Sequence, residues 1–166
     1  MIRRLAERNL RTSFGTFREI LYYDGQRESI ALAMGDIVGE DVLCRIHSAC
    51  TGGHVFNSVE CECAAELAAA QAAIQKEGRG LIIYLDQEGK GNGHLALIES
   101  MKYKKEFGQA EAYVKAGYSP DARDYRPAAE ILNDLGVASV KLVSDSPNKL
   151  DQLQKLGVKA VAAVQI

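Results

Sequence analysis

Ala64-Ala65-Glu66-Leu67-Ala68-Ala69-Ala70-Gln71-Ala72-Ala73-Ile74-Gln75-Lys76-Glu77-Gly78-Arg79-Gly80-Leu81-Ile82-Ile83-Tyr84-Leu85 is the stretch on which the fold turns. Residues 64–77 are rich in Ala and Leu with apolar positions at helical spacing, which predicts a helix. Gly78 stands where a helix C-cap belongs. Gly80–Leu85 then reads as a buried strand. Toward the N-terminus the signals are short strands: Thr16–Tyr23 before an Asp24-Gly25 turn, then Ser29–Met34 and Val42–Ile46. Toward the C-terminus helices and strands alternate. Helices are expected at Leu95–Phe107, closed by Gly108, and at Arg126–Leu135, capped by Asp124 with Pro127 in its first turn. Strand Val140–Val143, helix Pro147–Leu156 and strand Val158–Val164 follow. A β-rich start with later alternation fits α/β, or α+β on the same pattern: a mixed sheet covered by helices.

The 166 residues fit one domain over 1–166, without repeat, low-complexity tract or linker. Twenty basic and 22 acidic side chains leave a formal charge of −2. That balance argues against a nucleic-acid surface, while a local phosphate pocket stays compatible with it. Apolar runs fall well short of a membrane span, and Arg3, Arg4 and Glu7 break up any signal peptide. A cytoplasmic chain without a membrane role is expected. In that compartment four Cys point to thiol or metal chemistry before disulfides.

Cys50, Cys61 and Cys63 form the strongest local signal. Three thiolates suit zinc and leave its fourth position open for water. Cys61 and Cys63 cannot aim at one ion from a regular strand, so a turn into the helix at Ala64 is required. A closed structural site completed by His47 or His54, or buried thiols without metal, fits the spacing too. Cys44, in an apolar strand run, reads as a core residue.

Four further segments have the chemistry of anion or proton-transfer sites. Arg45, His47 and Ser48 leave a strand just before Cys50. Asp86-Gln87-Glu88-Gly89-Lys90-Gly91-Asn92-Gly93 follows a buried strand, where α/β proteins bind ligands, or is a surface turn. Ser144 to Lys149 opens a helix after a strand, as an anion site or an ordinary N-cap. Asp121 and Arg123, two residues apart, supply a proton acceptor and a phosphate-facing group, or a surface ion pair.

Taken in order, these pieces resemble the GTP cyclohydrolase II family. The matching residues are Arg45-Ile46-His47-Ser48 with Cys50, Cys61 with Cys63, Glu77-Gly78-Arg79-Gly80, and Gln87-Glu88-Gly89-Lys90-Gly91 with Gly93. Arg123-Asp124-Tyr125 and Leu135-Gly136-Val137 follow in the same order. The resemblance implies a GTP cyclohydrolase II-like α/β fold and a zinc enzyme that opens the imidazole ring of GTP at C8, releasing formate and pyrophosphate. It implies one Zn²⁺ per chain on Cys50, Cys61 and Cys63, and Mg²⁺ with the substrate phosphates. Asp121 takes the position of the proton acceptor and Arg123 that of the residue attacking the α-phosphate. Tyr103 is the match for the tyrosine of the helix after the Gly-rich loop. Arg45, His47, Ser48, Glu66, Glu88, Lys90, Ser144 and Lys149 match or adjoin nucleotide-contacting positions. A homodimer is the implied assembly.

The chain departs from the family pattern near the metal motif. Ala49 replaces a usual Glu, Glu66 replaces a usual Gln, and Lys90 replaces an Arg, turning a bidentate fork into a point charge. One expectation is that Glu66 replaces in space the carboxylate absent at Ala49. Changes clustered around retained thiols favour altered substrate recognition. Three functions compete: a GTP cyclohydrolase II or paralogue; a related hydrolase acting on another purine or pyrimidine, or stopping at the formamide; and a non-catalytic zinc or nucleotide module. Asp121 with Arg123 argues against the last, because a binder has little need of that pair.

Overall fold

The computed structural model describes residues 1–144 and 146–164. The chain opens with β1 (Arg3–Thr12) and β2 (Gly15–Tyr23), antiparallel, joined by a tight turn that the Thr12 hydroxyl stabilises through Gly15 O and Phe14 N–H. β3 (Glu28–Met34) and β4 (Val42–Ser48) follow at the expected places. A single turn, α1 (Thr51–His54), precedes α2 (Cys63–Glu77), which ends on left-handed Gly78 and feeds β5 (Gly80–Leu85). Then come α3 (His94–Ser100), α4 (Gln109–Lys115), α5 (Arg126–Asp134), β6 (Ser139–Val143), α6 (Pro147–Lys155) and β7 (Lys159–Val164).

All seven strands form one mixed α/β sheet in the order β1-β2-β3-β5-β4-β6-β7. The β1-β2-β3-β5 side is antiparallel, and β5-β4-β6-β7 is parallel. Strands β4 and β5 are buried on both faces, which their near-continuous apolar sequences require. On one face Cys44, Ile46, Leu81, Ile83 and Leu142 pack under Ile131 and Leu132 of α5 and Leu153 of α6. On the other, Leu43, Ile82 and Phe17 pack under Ile74 of α2. Cys44 is a core residue, as its apolar run predicts. The ends of β4, β5 and β6 therefore converge at one edge of the parallel half, where ligands of α/β proteins bind.

Three elements differ from expectation. β1 lacks a strand signature because it is almost wholly exposed and mostly polar, with Arg8 paired to Glu19 across to β2. The helix expected over 95–107 stops at Ser100, whose hydroxyl donates to Leu97 O at 2.7 Å. Residues 101–107 continue as tight turns, with Tyr103 N–H on Ser100 O and Glu106 N–H on Tyr103 O. The exposed Lys102, Lys104 and Lys105 supply no apolar face to sustain a helix there. α4, unforeseen, is seven residues long and buries Ala112 and Tyr113.

Candidate active site

β4 delivers the first thiol. After Ser48 the chain crosses the end of β5, where Ala49 N–H donates to Leu85 O at 2.9 Å, and Cys50 becomes the N-cap of α1. Gly53 N–H reaches Cys50 Sγ at 3.4 Å. Cys63 opens α2, and Cys61 sits in the turn before it, as two ligands so spaced require. The three sulfurs lie within 4.8 Å of one another, a group able to hold a metal ion, with Cys50 and Cys61 Sγ 3.7 Å apart. Gly53 makes this convergence possible: a Cβ there would stand 2.9 Å from Cys61 Sγ and 3.4 Å from Cys50 Sγ. The backbone N–H of Cys63 holds the Cys61 thiol below its ordinary pKa, while burial pushes the Cys63 thiol up.

Neither histidine completes that group among the described residues. His47 Nε2 and His54 Nε2 face each other at 2.9 Å. Arg45 Nε donates to His47 Nδ1 at 3.3 Å, so the hydrogen-bond network puts the His47 proton on Nε2, directed at His54. Burial, then Arg45, pushes the His47 pKa down to about 3, so its ring is neutral at physiological pH. Arg45 also binds Val143 O at 3.0 Å and the Glu66 carboxylate at 2.8 Å, which links β4, β6 and α2.

The loop after β5 is a brace. Gln87 donates to Ser48 Oγ at 3.2 Å and accepts from Asp124 N–H at 2.8 Å. Glu88 binds Thr51 and His94. The N–H groups of Gly91, Asn92 and Gly93 close turns inside the loop and do not cradle a phosphate. Gly91 answers to packing, since a Cβ would meet Ala122 O at 2.4 Å. Through that contact, and Ala122 N–H on Lys90 O at 2.8 Å, the loop seats the Asp121–Arg123 segment. Arg123 then grips Asp121 with both nitrogens, at 3.0 and 2.7 Å. Burial would raise the Asp121 pKa, but the hydrogen bonds from Arg123 outweigh it and hold the carboxyl below its usual range.

These groups surround a cavity of about 750 Å³ walled by all three thiols, Ser48, Glu66, Glu88, Lys90 and Arg123. Comparison with known proteins now identifies the scaffold. A family model described as GTP cyclohydrolase II matches residues 3–165. The chain belongs to the GTP cyclohydrolase II family. It is 42% identical over 170 residues to riboflavin biosynthesis protein RibBA of Bacillus cereus, an alignment covering 100% of this chain and 43% of that protein. It is 41% identical over 169 residues to GTP cyclohydrolase-2 of Streptomyces coelicolor, covering 99% of this chain and 76% of that one. The chain thus spans less than half the length of the RibBA relatives it matches. Among solved structures it resembles RibBX, a two-domain 3,4-dihydroxy-2-butanone 4-phosphate synthase from A. baumannii, with a TM-score of 0.53 and 20% identity over 97% of this chain and 40% of that one. That likeness concerns the fold alone.

The remaining residues matched to the GTP cyclohydrolase II family fall into two groups. Arg45, His47 and Lys149 stand buried behind the cavity wall. Lys149 Nζ donates to Ile46 O at 2.8 Å, and burial, then Arg45 and Arg123, pushes its pKa down to about 8. Ser144 follows β6 directly, and its hydroxyl accepts Ser146 N–H at 3.0 Å. Ser146 caps α6 by accepting from Lys149 N–H. Tyr103 lies in the turns after α3, outside the cavity lining, whereas Met101 and Tyr113 line it. Among the described residues the buried Tyr113 hydroxyl has no hydrogen-bond partner. Glu66 and Ala49 both line the cavity. Sequence reasoning missed Gln87, His94 and Tyr113 as site residues. Gln87 stands inside a quoted motif and was findable; Tyr113 lies on a helix without a strong pattern.

Proposed function

We propose that the chain is a zinc-dependent cyclohydrolase that opens GTP at C8, releasing formate and pyrophosphate and leaving a pyrimidine nucleotide. The observation that carries this reading is a three-thiol group and Arg123, held by Asp121, lining one cavity. Sulfurs bound tetrahedrally at about 2.3 Å stand about 3.8 Å apart, and the 3.7 Å between Cys50 and Cys61 fits. Cys50, Cys61 and Cys63 would hold the zinc, which would supply Lewis acidity and a water of lowered pKa at that wall of the cavity.

The chain's own groups do the rest. Arg123, aimed by Asp121, faces the phosphates, backed by the charges of Arg45 and Lys149. Asp121, held ionised, is the proton acceptor. Glu66, fixed by Arg45 on the cavity wall, is placed to accept from N–H groups of the base. Ser48 and Lys90 complete the polar surround, with His47 locking Arg45 from behind, while Ser144 stands outside the cavity lining. Mg²⁺ accompanies the triphosphate, one Zn²⁺ is held per chain, and the assembly is a homodimer; these parts rest on the family resemblance.

One observation favours a second outcome at the same site. Tyr103, the tyrosine matched to ring opening, is off the cavity, and Met101 occupies its wall. On that ground the second reading is a reaction that stops at the formamide. A single assay decides between them: zinc-loaded protein with GTP and Mg²⁺, following formate, pyrophosphate and product absorbance together. Equal formate and pyrophosphate supports full ring opening, and pyrophosphate without formate supports the formamide. Neither product from protein with bound zinc overturns both.

A further inference from the structure

We propose that His94 is a catalytic residue: an imidazole steered by Glu88 that carries a proton from the attacking water to the ring nitrogen released at C8. The inference deepens the cyclohydrolase reading above and rests on it. His94 lines the cavity that the three thiols wall. The other two histidines are committed elsewhere, facing each other from β4 and α1. Glu88 Oε1 and His94 Nδ1 stand 2.9 Å apart. Burial would raise the Glu88 pKa, but hydrogen bonds from Thr51 and His94 outweigh it and hold the carboxyl below its usual range. An ionised carboxylate only accepts, so a neutral His94 ring carries its proton on Nδ1 and a lone pair on Nε2. Among the described residues that Nε2 has no hydrogen-bond partner. The ring is 48% exposed and its carboxylate 12%, so the partner is fixed while the basic nitrogen stays reachable.

Glu88 is held in turn by Thr51, accepting its N–H at 2.8 Å and its hydroxyl at 3.0 Å. With His94 these donors use three of the roughly four lone-pair sites of a carboxylate, leaving one for an N–H of the bound nucleotide. Hydrolysis at C8 has a proton to move. Water adds its oxygen to C8 and must shed a proton; the C8–N9 bond then breaks with its electron pair on N9, which must gain one. His94 Nε2 takes the first proton, the ionised Glu88 steadies the imidazolium, and the same proton passes to N9. The ring ends neutral, one water has been added, and no other reactant is consumed. Asp121 has a different proton to accept, because Arg123, the phosphate-facing group, binds both of its oxygens. Opening the base therefore needs a carrier of its own.

The test follows the loss of purine absorbance in zinc-loaded full chain with Mg²⁺ and saturating GTP, which reads the first hydrolysis whichever product is released. His94→Ala should lower kcat by about 100-fold or more, the usual worth of a general acid–base group. Added imidazole should restore part of that rate in proportion to its concentration. His94→Gln keeps a donor for Glu88 but no basic nitrogen, and should stay slow with or without imidazole. The side chain is half exposed, so neither substitution empties the core, and urea midpoints equal to wild type show that the loss is chemical. Wild-type kcat in His94→Gln overturns the proton role and leaves the cyclohydrolase reading standing. A slow His94→Ala that imidazole does not accelerate does the same. Wild-type protein that opens no GTP ring overturns that reading and this inference with it.

Discussion

Lys149 carries its charge where little water reaches it, 7% exposed and beside two arginines. Its folded pKa of about 8 lies below the ordinary 10.5. Between those values the unfolded chain holds a proton that the folded chain has released, so stability rises with pH across that window. Below pH 8 both states are protonated and Lys149 contributes a constant penalty. Urea unfolding of wild type and Lys149→Met at pH 7 and 10 isolates the effect. Wild type should gain on the variant by up to a few kcal/mol. A gap between the two that does not change with pH contradicts the assignment. The lysine and its neighbours Arg45 and Arg123 were all legible as residue types in the sequence. Their burial was not, because it depends on β4, β6 and the Arg123 segment meeting in space.

At the scale of elements, the edge hairpin is tied to α5 by one carboxylate. Asp134 accepts the Tyr22 hydroxyl at 2.6 Å and Arg4 Nη2 at 2.7 Å. The arginine pair is about 40% exposed on both sides (39% and 41%) and is worth under about 1 kcal/mol. Tyr22 is fully buried, and stranding its hydroxyl costs about 1–3 kcal/mol. Asp134→Ala should therefore destabilise clearly more than Arg4→Ala in urea melts, and equal losses would refute this ranking. Such ties explain what the sequence did and did not disclose. β4, β5 and α2 were readable because burial on both faces, or on one stripe, leaves an apolar record. β1 left none, because nearly all of its residues are exposed and its own sequence is mostly polar. The end of α3 was hidden in a serine that turns back on its own backbone.

Across the whole molecule, the described residues hold no helix long and apolar enough to cross a membrane. Seven strands hold two sets of groups against one cavity. Its thiol wall comes from the connection between β4 and β5, and its basic wall from segments far later in the chain. Removing metal should loosen the first without melting the sheet. Phe56, 73% exposed and just beyond α1, reports on it. Chelated protein should be cut by chymotrypsin at Phe56 faster than zinc-loaded protein, with unchanged far-ultraviolet circular dichroism. Equal cleavage with and without metal would detach that connection from the metal. The placement of all three thiols between β4 and β5 also orders events during synthesis. All three thiols have left the ribosome long before Lys149 is made, so on the proposed zinc reading the nascent chain would be able to take up metal before the basic wall of the cavity exists.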